Sequence, residues 1–291
     1  MLRLPTLAPG HDRILLVGDI VGKPGTRFVC DAAKKLKRHL NLSALIVNAE
    51  NSADGSGLTL KDYQRLIDAG VDMITMGDHI YRKREIMDVL QSKPNIVRPA
   101  NFPPSSVGKG WQVFHLADNY RLYVISLMGR VFMKPVDCPF HAAERVLIEI
   151  REHATALQMK ENNAHANHEY FVVVDFHAEA TSDKQLMGRM LDGRVTAVLG
   201  THTHVTTADE QILPKGTAFQ CDVGMTGPFE SILGRKIESV LEATLTLNPV
   251  SFSVATEDVR LSGTYVDACR ETGLATQIGR IVVRENELER L

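Results

Sequence analysis

The sequence contains five short apolar runs that each stop abruptly on polar side chains. The runs occupy residues 14–17, 44–47, 71–76, 171–174 and 195–199. Short, continuously apolar runs are typical of strands that are buried on both faces of a sheet. The polar clusters that follow them are Gly18-Asp19, Glu50-Asn51, Gly77-Asp78-His79, His177 and Thr201-His202-Thr203-His204. Because the carboxyl ends of parallel strands share one edge of a sheet, the pattern predicts that these polar groups gather there.

Helical patterns separate these runs through the first two thirds of the chain. Stretches of helical character occupy residues 27–40, 60–69, 84–90, 142–157 and 182–191, and further apolar runs occupy residues 96–97 and 120–127. Strands that alternate with helices indicate an α/β fold with a parallel sheet. A polar connector, residues 160–170, precedes the fourth of the five runs.

The last third of the chain has a different pattern. Strand-like stretches occupy residues 218–223, 245–247, 251–256, 259–266 and 277–283, and one helical turn is expected near residues 235–241. We expect these late strands to form a second sheet that packs on the first. The pattern therefore predicts one domain, residues 13–291, that follows a loose N-terminal extension, residues 1–12.

Net charge, cysteine spacing and the length of the apolar runs argue against several classes of partner. The formal net charge is −2, so the chain lacks the basic surface expected of a protein that binds extended duplex nucleic acid. The four cysteines are scattered without a CxxC pair, which argues against a zinc ribbon or a disulfide framework and favours a cytoplasmic location. No apolar run is long enough to span a bilayer, so no membrane partner is expected.

The polar clusters have the composition of a metal centre. Seven of their side chains are candidate metal ligands, three carboxylates, one amide and three imidazoles: Asp19, Glu50, Asp78, Asn51, His177, His202 and His204. A single catalytic zinc needs about three protein ligands, so the set indicates two metals that share a carboxylate, as in two-metal hydrolysis of phosphate esters. The mixture of oxygen and nitrogen donors suits manganese, iron or zinc better than magnesium or calcium. Taken alone, each cluster could also be structural; Asp19, for example, could cap a turn.

The segment that carries two of the histidines is the most specific part of this pattern. His202 and His204 are two residues apart after an extended run. Side chains at that spacing reach one site only if the backbone bends.

Eight sequence blocks together resemble the YmdB-like family of bacterial calcineurin-type dimetal metallophosphoesterases. They run in family order over nearly the whole chain. The blocks are residues 17–25, Asn48-Ala49-Glu50-Asn51, Gly77-Asp78-His79, Arg98-Pro99-Ala100-Asn101, Asp137-Cys138-Pro139-Phe140, residues 175–181, residues 200–205 and residues 222–227.

The resemblance implies a fold, a reaction and a role for each site residue. The fold is an α/β/β/α sandwich of two mixed sheets flanked by helices. The reaction is hydrolysis of small phosphodiesters, with 2′,3′-cyclic nucleotides as the expected substrates, by a hydroxide held between two metals, iron or manganese before zinc. One metal would be held by Asp19, Glu50, Asn51 and His204, and the other by Glu50, Asp78, His177 and His202. His79 would protonate the leaving group. Independently of the resemblance, Arg130 follows the end of a predicted strand and is a candidate to neutralise charge on the phosphoryl oxygens, although it could also be an ordinary surface arginine.

Two positions depart from related patterns. The family has Gly-Asn-His where this chain has Gly77-Asp78-His79. The wider superfamily has a histidine where this chain has Val21, and by the resemblance Asn51 takes over the role of that histidine. The third negative ligand, Asp78, predicts tighter metal binding but a weaker Lewis acid.

Other functions stay open at the level of sequence. One alternative is a phosphomonoesterase on the same centre, because only Tyr81, Phe102, Trp111 and Phe132 could stack on a base. Another is a regulatory or scaffold protein in which the metal is structural. The sequence is also compatible with a homo-oligomer, since residues 99–110 and 137–140 include apolar side chains in predicted loops.

Overall fold

A computed structural model describes residues 4–160 and 170–289 of the chain. The strands are β1 (His11–Val17), β2 (Asp19–Ile20), β3 (Ala44–Asn48), β4 (Met73–Thr75), β5 (Ile96–Val97), β6 (Trp111–His115), β7 (Arg121–Met128), β8 (Tyr170–His177), β9 (Ala197–Thr201), β10 (Gln211–Ile212), β11 (Ala218–Gln220), β12 (Met225–Pro228), β13 (Val259–Cys269) and β14 (Ala275–Arg284). The helices are α1 (Gly22–His39), α2 (Leu60–Asp68), α3 (Ile86–Ser92), α4 (Pro139–Lys160), α5 (Thr181–Leu191), α6 (Ile237–Thr246) and α7 (Glu285–Leu288).

The first sheet has eight strands and a parallel centre. Its order is β2-β12-β13-β1-β3-β4-β5, with β14 beside β13. Strands β1, β3, β4 and β5 are parallel, and β13 runs antiparallel to β1 along its whole length, from His11 opposite Cys269 to Val17 opposite Gly263. The central residues of these parallel strands are apolar because both faces of the sheet are covered.

The second sheet has six strands in the order β10-β11-β9-β8-β7-β6. Strands β7, β8, β9 and β11 are parallel, whereas the edge strands β6 and β10 are antiparallel to their neighbours. The carboxyl ends of β8 and β9 are aligned, with His177 opposite Thr201.

Three apolar layers hold the two sheets and the helices together. Side chains alternate between the faces of a strand, so Ile14 and Leu16 of β1 face the second sheet, where Phe171 and Val173 of β8 meet them. The opposite faces are covered by helices, the first sheet's by α1, α2 and α3 and the second sheet's by α4 and α5. The fold is therefore the expected α/β/β/α sandwich.

Several sequence predictions for the last third of the chain are wrong. Of the predicted late strands, β11 lies in the second sheet, but β13 and β14 join the first, because β13 pairs with β1. Residues 245–246 are the last two of α6 and Leu247 caps it; α6 is a ten-residue helix rather than one turn. Residues 251–256 are not a strand and contribute a single bridge at Val254. Strand β6, which the sequence patterns did not indicate, forms an edge of the second sheet.

Two further features bear on the predicted boundaries. Strand β1 begins at His11, inside the predicted extension, and the Arg13 guanidinium donates a hydrogen bond of 2.9 Å to the Pro5 carbonyl. Most of the predicted connector 160–170 lies outside the described residues. Within the described residues, no helix combines the length and the apolar character needed to cross a membrane.

Candidate metal centre

The carboxyl ends of strands from both sheets meet at one edge of the sandwich. Asp19 follows β1, Glu50 follows β3, and Asp78 follows β4 in the first sheet. His177 ends β8, and the segment that carries His202 follows β9 in the second sheet. The edge at which the sequence predicts the polar groups is thus shared by both sheets.

Four of these side chains form a close cluster. Glu50, Asp78, His177 and His202 each offer a ligand atom, and these atoms all lie within 4.8 Å of one another. The Nε2 atom of His177 is 3.4 Å from Glu50 Oε1 and 3.3 Å from Asp78 Oδ1. The Nδ1 atom of His202 is 3.0 Å from His177 Nε2. Two carboxylates and two imidazoles converging in this way make a donor set suited to a transition metal.

The other three predicted ligands, Asn51, His204 and Asp19, lie beside this cluster. The Asn51 amide donates to Glu50 Oε1 at 3.0 Å, and its nitrogen is 3.2 Å from His204 Nε2. Asp19 Oδ1 lies 3.8 Å from His177 Nδ1 and is a buried oxygen without a hydrogen-bond partner among the described residues. A buried carboxylate oxygen is costly to leave unpaired, and a cation would satisfy it. The residues present therefore fit a centre that could hold two metals.

The backbone bends at both histidines of the 201–204 segment, as their spacing predicts. The φ angle is 101° at His202 and 64° at His204. A positive φ is unfavourable for residues that carry a Cβ and persists where the surroundings enforce it. The two bends bring imidazoles that are two residues apart to the same centre.

A buried ion pair holds this strained segment in place. Asp222 Oδ2 accepts hydrogen bonds from the Thr203 amide at 3.0 Å and the Thr203 hydroxyl at 2.8 Å. The same oxygen accepts one from Lys184 Nζ at 2.7 Å, and both side chains are buried. This pair was not predicted from the sequence, although Asp222 follows β11 by two residues, much as the predicted ligands follow their strands.

A second buried network lies beneath the cluster and joins the two sheets. Asp175 of β8 accepts hydrogen bonds from Asn48 of β3 at 3.0 Å and from Thr201 of β9 at 2.6 Å. The hydroxyl of Thr75 in β4 also donates to it. Thr201 in turn lies 2.9 Å from His177 Nδ1. This chain of contacts fixes the orientation of the His177 ring.

Close packing also determines one backbone position. A Cβ atom at Gly77 would lie 2.3 Å from His177 Cδ2 and 2.4 Å from Glu50 Oε2. No side chain fits there without displacing two of the predicted ligands, so the glycine before Asp78 is required by the cluster itself.

Burial and mutual charge shift the ionisation of the cluster. Burial raises the pKa of Asp19 to about 6. Burial and the neighbouring His177 lower the pKa of His202 to about 4. Burial alone would raise the pKa of Glu50, but contacts with His177 and His79 bring it well below its ordinary value. Glu50 is thus ionised and His202 neutral at neutral pH, as metal ligands must be.

His79 lies within the same centre. Its amide donates to Glu50 Oε2 at 3.0 Å, its Nδ1 is 2.6 Å from Asn51 Oδ1, and its Nε2 is 3.6 Å from Asp78 Oδ2. The side chain is partly exposed, so it is accessible to a substrate.

Among the described contacts, the cation that meets a predicted ligand is Lys134 rather than Arg130, which was named from the sequence. Arg130 is exposed, and among the described contacts none joins its guanidinium to a predicted ligand. Lys134 Nζ, in contrast, lies 3.3 Å from the Asp78 carbonyl oxygen and 4.0 Å from Asp78 Oδ2. Glu179 is a second missed neighbour, since its carboxylate is 3.3 Å from His202 Nε2. Lys134 could not be predicted from the sequence, because it lies in a loop that is distant in sequence from Asp78.

A sizeable cavity elsewhere in the molecule does not compete for this chemistry. It has a volume of about 990 Å³, lies between α1, residues 252–256 and α7, and is lined by none of the seven predicted ligands or His79. Its lining lacks a convergence of buried carboxylates and imidazoles, which is the feature that indicates a catalytic centre.

Comparisons with known proteins agree with this geometry. A sequence model of the family described as YmdB-like protein matches residues 15–281. The chain is 44% identical over 276 residues to the 2′,3′-cyclic-nucleotide 2′-phosphodiesterase of Bacillus subtilis, covering 95% of this chain and 98% of that protein.

Solved structures show the same fold over nearly the whole length. A protein of Thermus thermophilus superposes with a TM-score of 0.82 at 38% identity, covering 94% of this chain and 99% of that one. A Mycoplasma pneumoniae protein described as a novel phosphatase superposes with a TM-score of 0.83 at 29% identity, covering 98% of each chain.

Proposed function

Because the chain belongs to the family of YmdB-like proteins, we propose that it is a two-metal phosphodiesterase of small cyclic phosphodiesters. The expected substrates are 2′,3′-cyclic nucleotides, since a relative that is 44% identical carries that activity in its name. The observation that carries the proposal is the cluster of Glu50, Asp78, His177 and His202 beside the orphaned oxygen of Asp19.

The seven predicted ligands divide into two sets that share Glu50. Asp19, Asn51 and His204 would hold one metal, and Asp78, His177 and His202 the other. When bound, two cations supply a water activated at neutral pH and neutralise charge on the phosphoryl oxygens. Oxygen and nitrogen donors in these proportions favour iron or manganese, with zinc as a further candidate.

His79 is the residue proposed to protonate the leaving group. Its Nδ1 lies 2.6 Å from Asn51 Oδ1, a contact that holds the ring with Nε2 directed away from Asn51. In the ring opening, water adds to phosphorus, the bond to the 2′ oxygen breaks, and Nε2 gives its proton to that oxygen. The product is a 3′-nucleotide with a free 2′ hydroxyl.

A phosphomonoesterase on the same centre is the second candidate. A Mycoplasma pneumoniae structure with a TM-score of 0.83 to this chain is described as a phosphatase. The same two metals and His79 could serve a monoester, so a substrate panel separates the two activities. The cytoplasmic location and self-association inferred from the sequence stay predictions.

The test is hydrolysis of three substrates by metal-analysed protein, with and without added manganese. We expect turnover of 2′,3′-cyclic AMP and bis-p-nitrophenyl phosphate that far exceeds turnover of p-nitrophenyl phosphate. Turnover of the monoester alone would replace the proposal with the phosphatase. Metal-loaded protein that hydrolyses none of the three would contradict both activities and favour the regulatory alternative.

A further inference from the structure

The loop of residues 129–134, here called the rim loop, borders the metal centre at both of its ends. It begins directly after β7, where the Gly129 amide donates to the carbonyl of His177 at 2.9 Å. It ends at Lys134, whose Nζ lies 3.3 Å from the Asp78 carbonyl. A phosphate held near Asp78 and His177 would therefore lie close to the two ends of the rim loop.

The rim loop places one side chain in the core and a large aromatic ring in solvent. Met133 packs against the apolar layer between the second sheet and its helices. Phe132, the residue before it, is 90% exposed and has a φ of 61°. An exposed phenyl ring loses the stabilisation that burial would give, and a positive φ is unfavourable for phenylalanine. Two unfavourable features at one residue of a loop that borders the metal centre are expected where the side chain serves a function.

The other aromatic candidates are already engaged. Trp111 donates from Nε1 to Glu149 at 2.8 Å and packs on Tyr123. Tyr81 donates its hydroxyl to the Val107 carbonyl at 2.7 Å, and its ring centroid is 6.0 Å from that of Phe102. Among the described aromatic contacts, none involves the ring of Phe132, so both of its faces are free to stack.

We propose that the rim loop is the nucleoside subsite of this enzyme, in which Phe132 stacks on the base and Lys134 pairs with the phosphate. The inference rests on the proposed function and deepens it by naming the residues that would recognise the base and the phosphate. Stacking on one aromatic ring tolerates every base because each has a π face. Lys134 is 58% exposed, so its ammonium can reach an anion at the centre.

The first experiment compares two cyclic phosphates that differ in the base. Phe132→Ala is expected to lower kcat/KM for 2′,3′-cyclic AMP by about 10-fold more than for glycerol 1,2-cyclic phosphate, within the range for loss of one base–aromatic stack. Phe132→Tyr should keep the wild-type ratio, whereas Phe132→Leu should behave like Phe132→Ala. Lys134→Gln should lower both substrates equally, since both carry the phosphate.

A matched control is available in Phe252, which is 46% exposed and lines the cavity away from the centre. Phe252→Ala should leave the ratio of the two substrates unchanged. Equal losses on both substrates in Phe132→Ala, or no loss on either, would overturn the inference. A wild-type protein that opens neither cyclic phosphate would instead overturn the proposed function.

Binding of a product tests the subsite independently of turnover. Calorimetry with metal-loaded protein should show that Phe132→Ala weakens adenosine 3′-phosphate about 10-fold without the same change for inorganic phosphate. An equal change for the two anions, or none for either, would contradict a stacking role even if the protein had no activity.

Discussion

The strand-end edge and helix α6 are opposite extremes of the same molecule. At the edge, Asp175 and Asp222 are buried and fully engaged, and each holds a segment that carries a predicted ligand. Helix α6 has no buried residue, and its Leu241 and Leu245 are 54% and 75% exposed. The edge is thus an interlocked polar network, whereas α6 contributes little to the packed core. Apolar content alone therefore does not locate the functional part of the chain.

The largest expected effect within the edge comes from the proposed acid. His79→Ala should keep its metals but lose turnover of 2′,3′-cyclic AMP by about 10²- to 10⁴-fold, because the 2′ alkoxide is a poor leaving group. Turnover of bis-p-nitrophenyl phosphate should fall much less, since p-nitrophenolate leaves without a proton. Steady-state kinetics on both substrates checks this, with His115→Ala, an exposed histidine on β6, as the control. Equal losses on both substrates would remove His79 from the acid role.

The next effect tests the ion pair behind the histidine segment. Lys184→Met leaves the Asp222 carboxylate buried without its cation, which should lower the free energy of unfolding by about 3–5 kcal/mol. Because Asp222 then holds Thr203 less firmly, metal affinity should fall by about 10- to 100-fold. Denaturant unfolding and metal titration measure the two losses, with exposed Arg189→Met on the same helix as the control. A loss of stability with unchanged metal affinity would show that the pair supports the fold but not the centre.

A smaller effect of opposite sign is expected at Asp78. Asp78→Asn removes one negative charge from the ligand set, so the metals should bind more weakly but polarise water more strongly. Turnover at saturating metal should rise by about two- to ten-fold. Exposed Asp88→Asn on α3 is the matched control. Turnover at saturating metal that is unchanged or lower in Asp78→Asn would refute the charge argument.

The smallest effect is expected in α6. Leu241→Gln and Leu245→Gln replace exposed side chains, so the free energy of unfolding should change by no more than about 0.5 kcal/mol. Diester turnover should also stay at the wild-type level. A large loss of either quantity would mean that α6 is covered in solution and would support the self-association that the sequence allows.

The same contrast explains which features the sequence could predict. Apolar runs that end on polar groups located the edge, because buried parallel strands and their carboxyl ends leave a local pattern. His202 and His204 were informative for the same reason, and the bends predicted from their spacing are present. The roles of the seven residues as ligands stay predictions, although the structure brings four of them into one cluster.

Features that depend on distant pairing could not be predicted in this way. The place of β13 beside β1 joins residues at opposite ends of the chain, and no local pattern encodes it. Lys184 contacts Asp222 from a helix, and Lys134 contacts Asp78 from a loop. No local sequence pattern predicts either contact. Residues 245–247, the end of α6 and its cap, were assigned as a strand because a short apolar run has too few residues for its periodicity to distinguish a helix from a strand.

The central claim is that Glu50 joins two metals in one working centre, and the most direct measurement counts metals and turnover together. Metal analysis of the purified chain, the chelated chain and Glu50→Gln should be paired with hydrolysis of bis-p-nitrophenyl phosphate. We predict about two metals per chain in the wild type, loss of turnover on chelation, and its return with manganese, as two-metal catalysis requires. Glu50→Gln should bind fewer metals and not recover, whereas the exposed Glu271→Gln should match the wild type. Full turnover in the chelated chain, or in Glu50→Gln, would contradict the account.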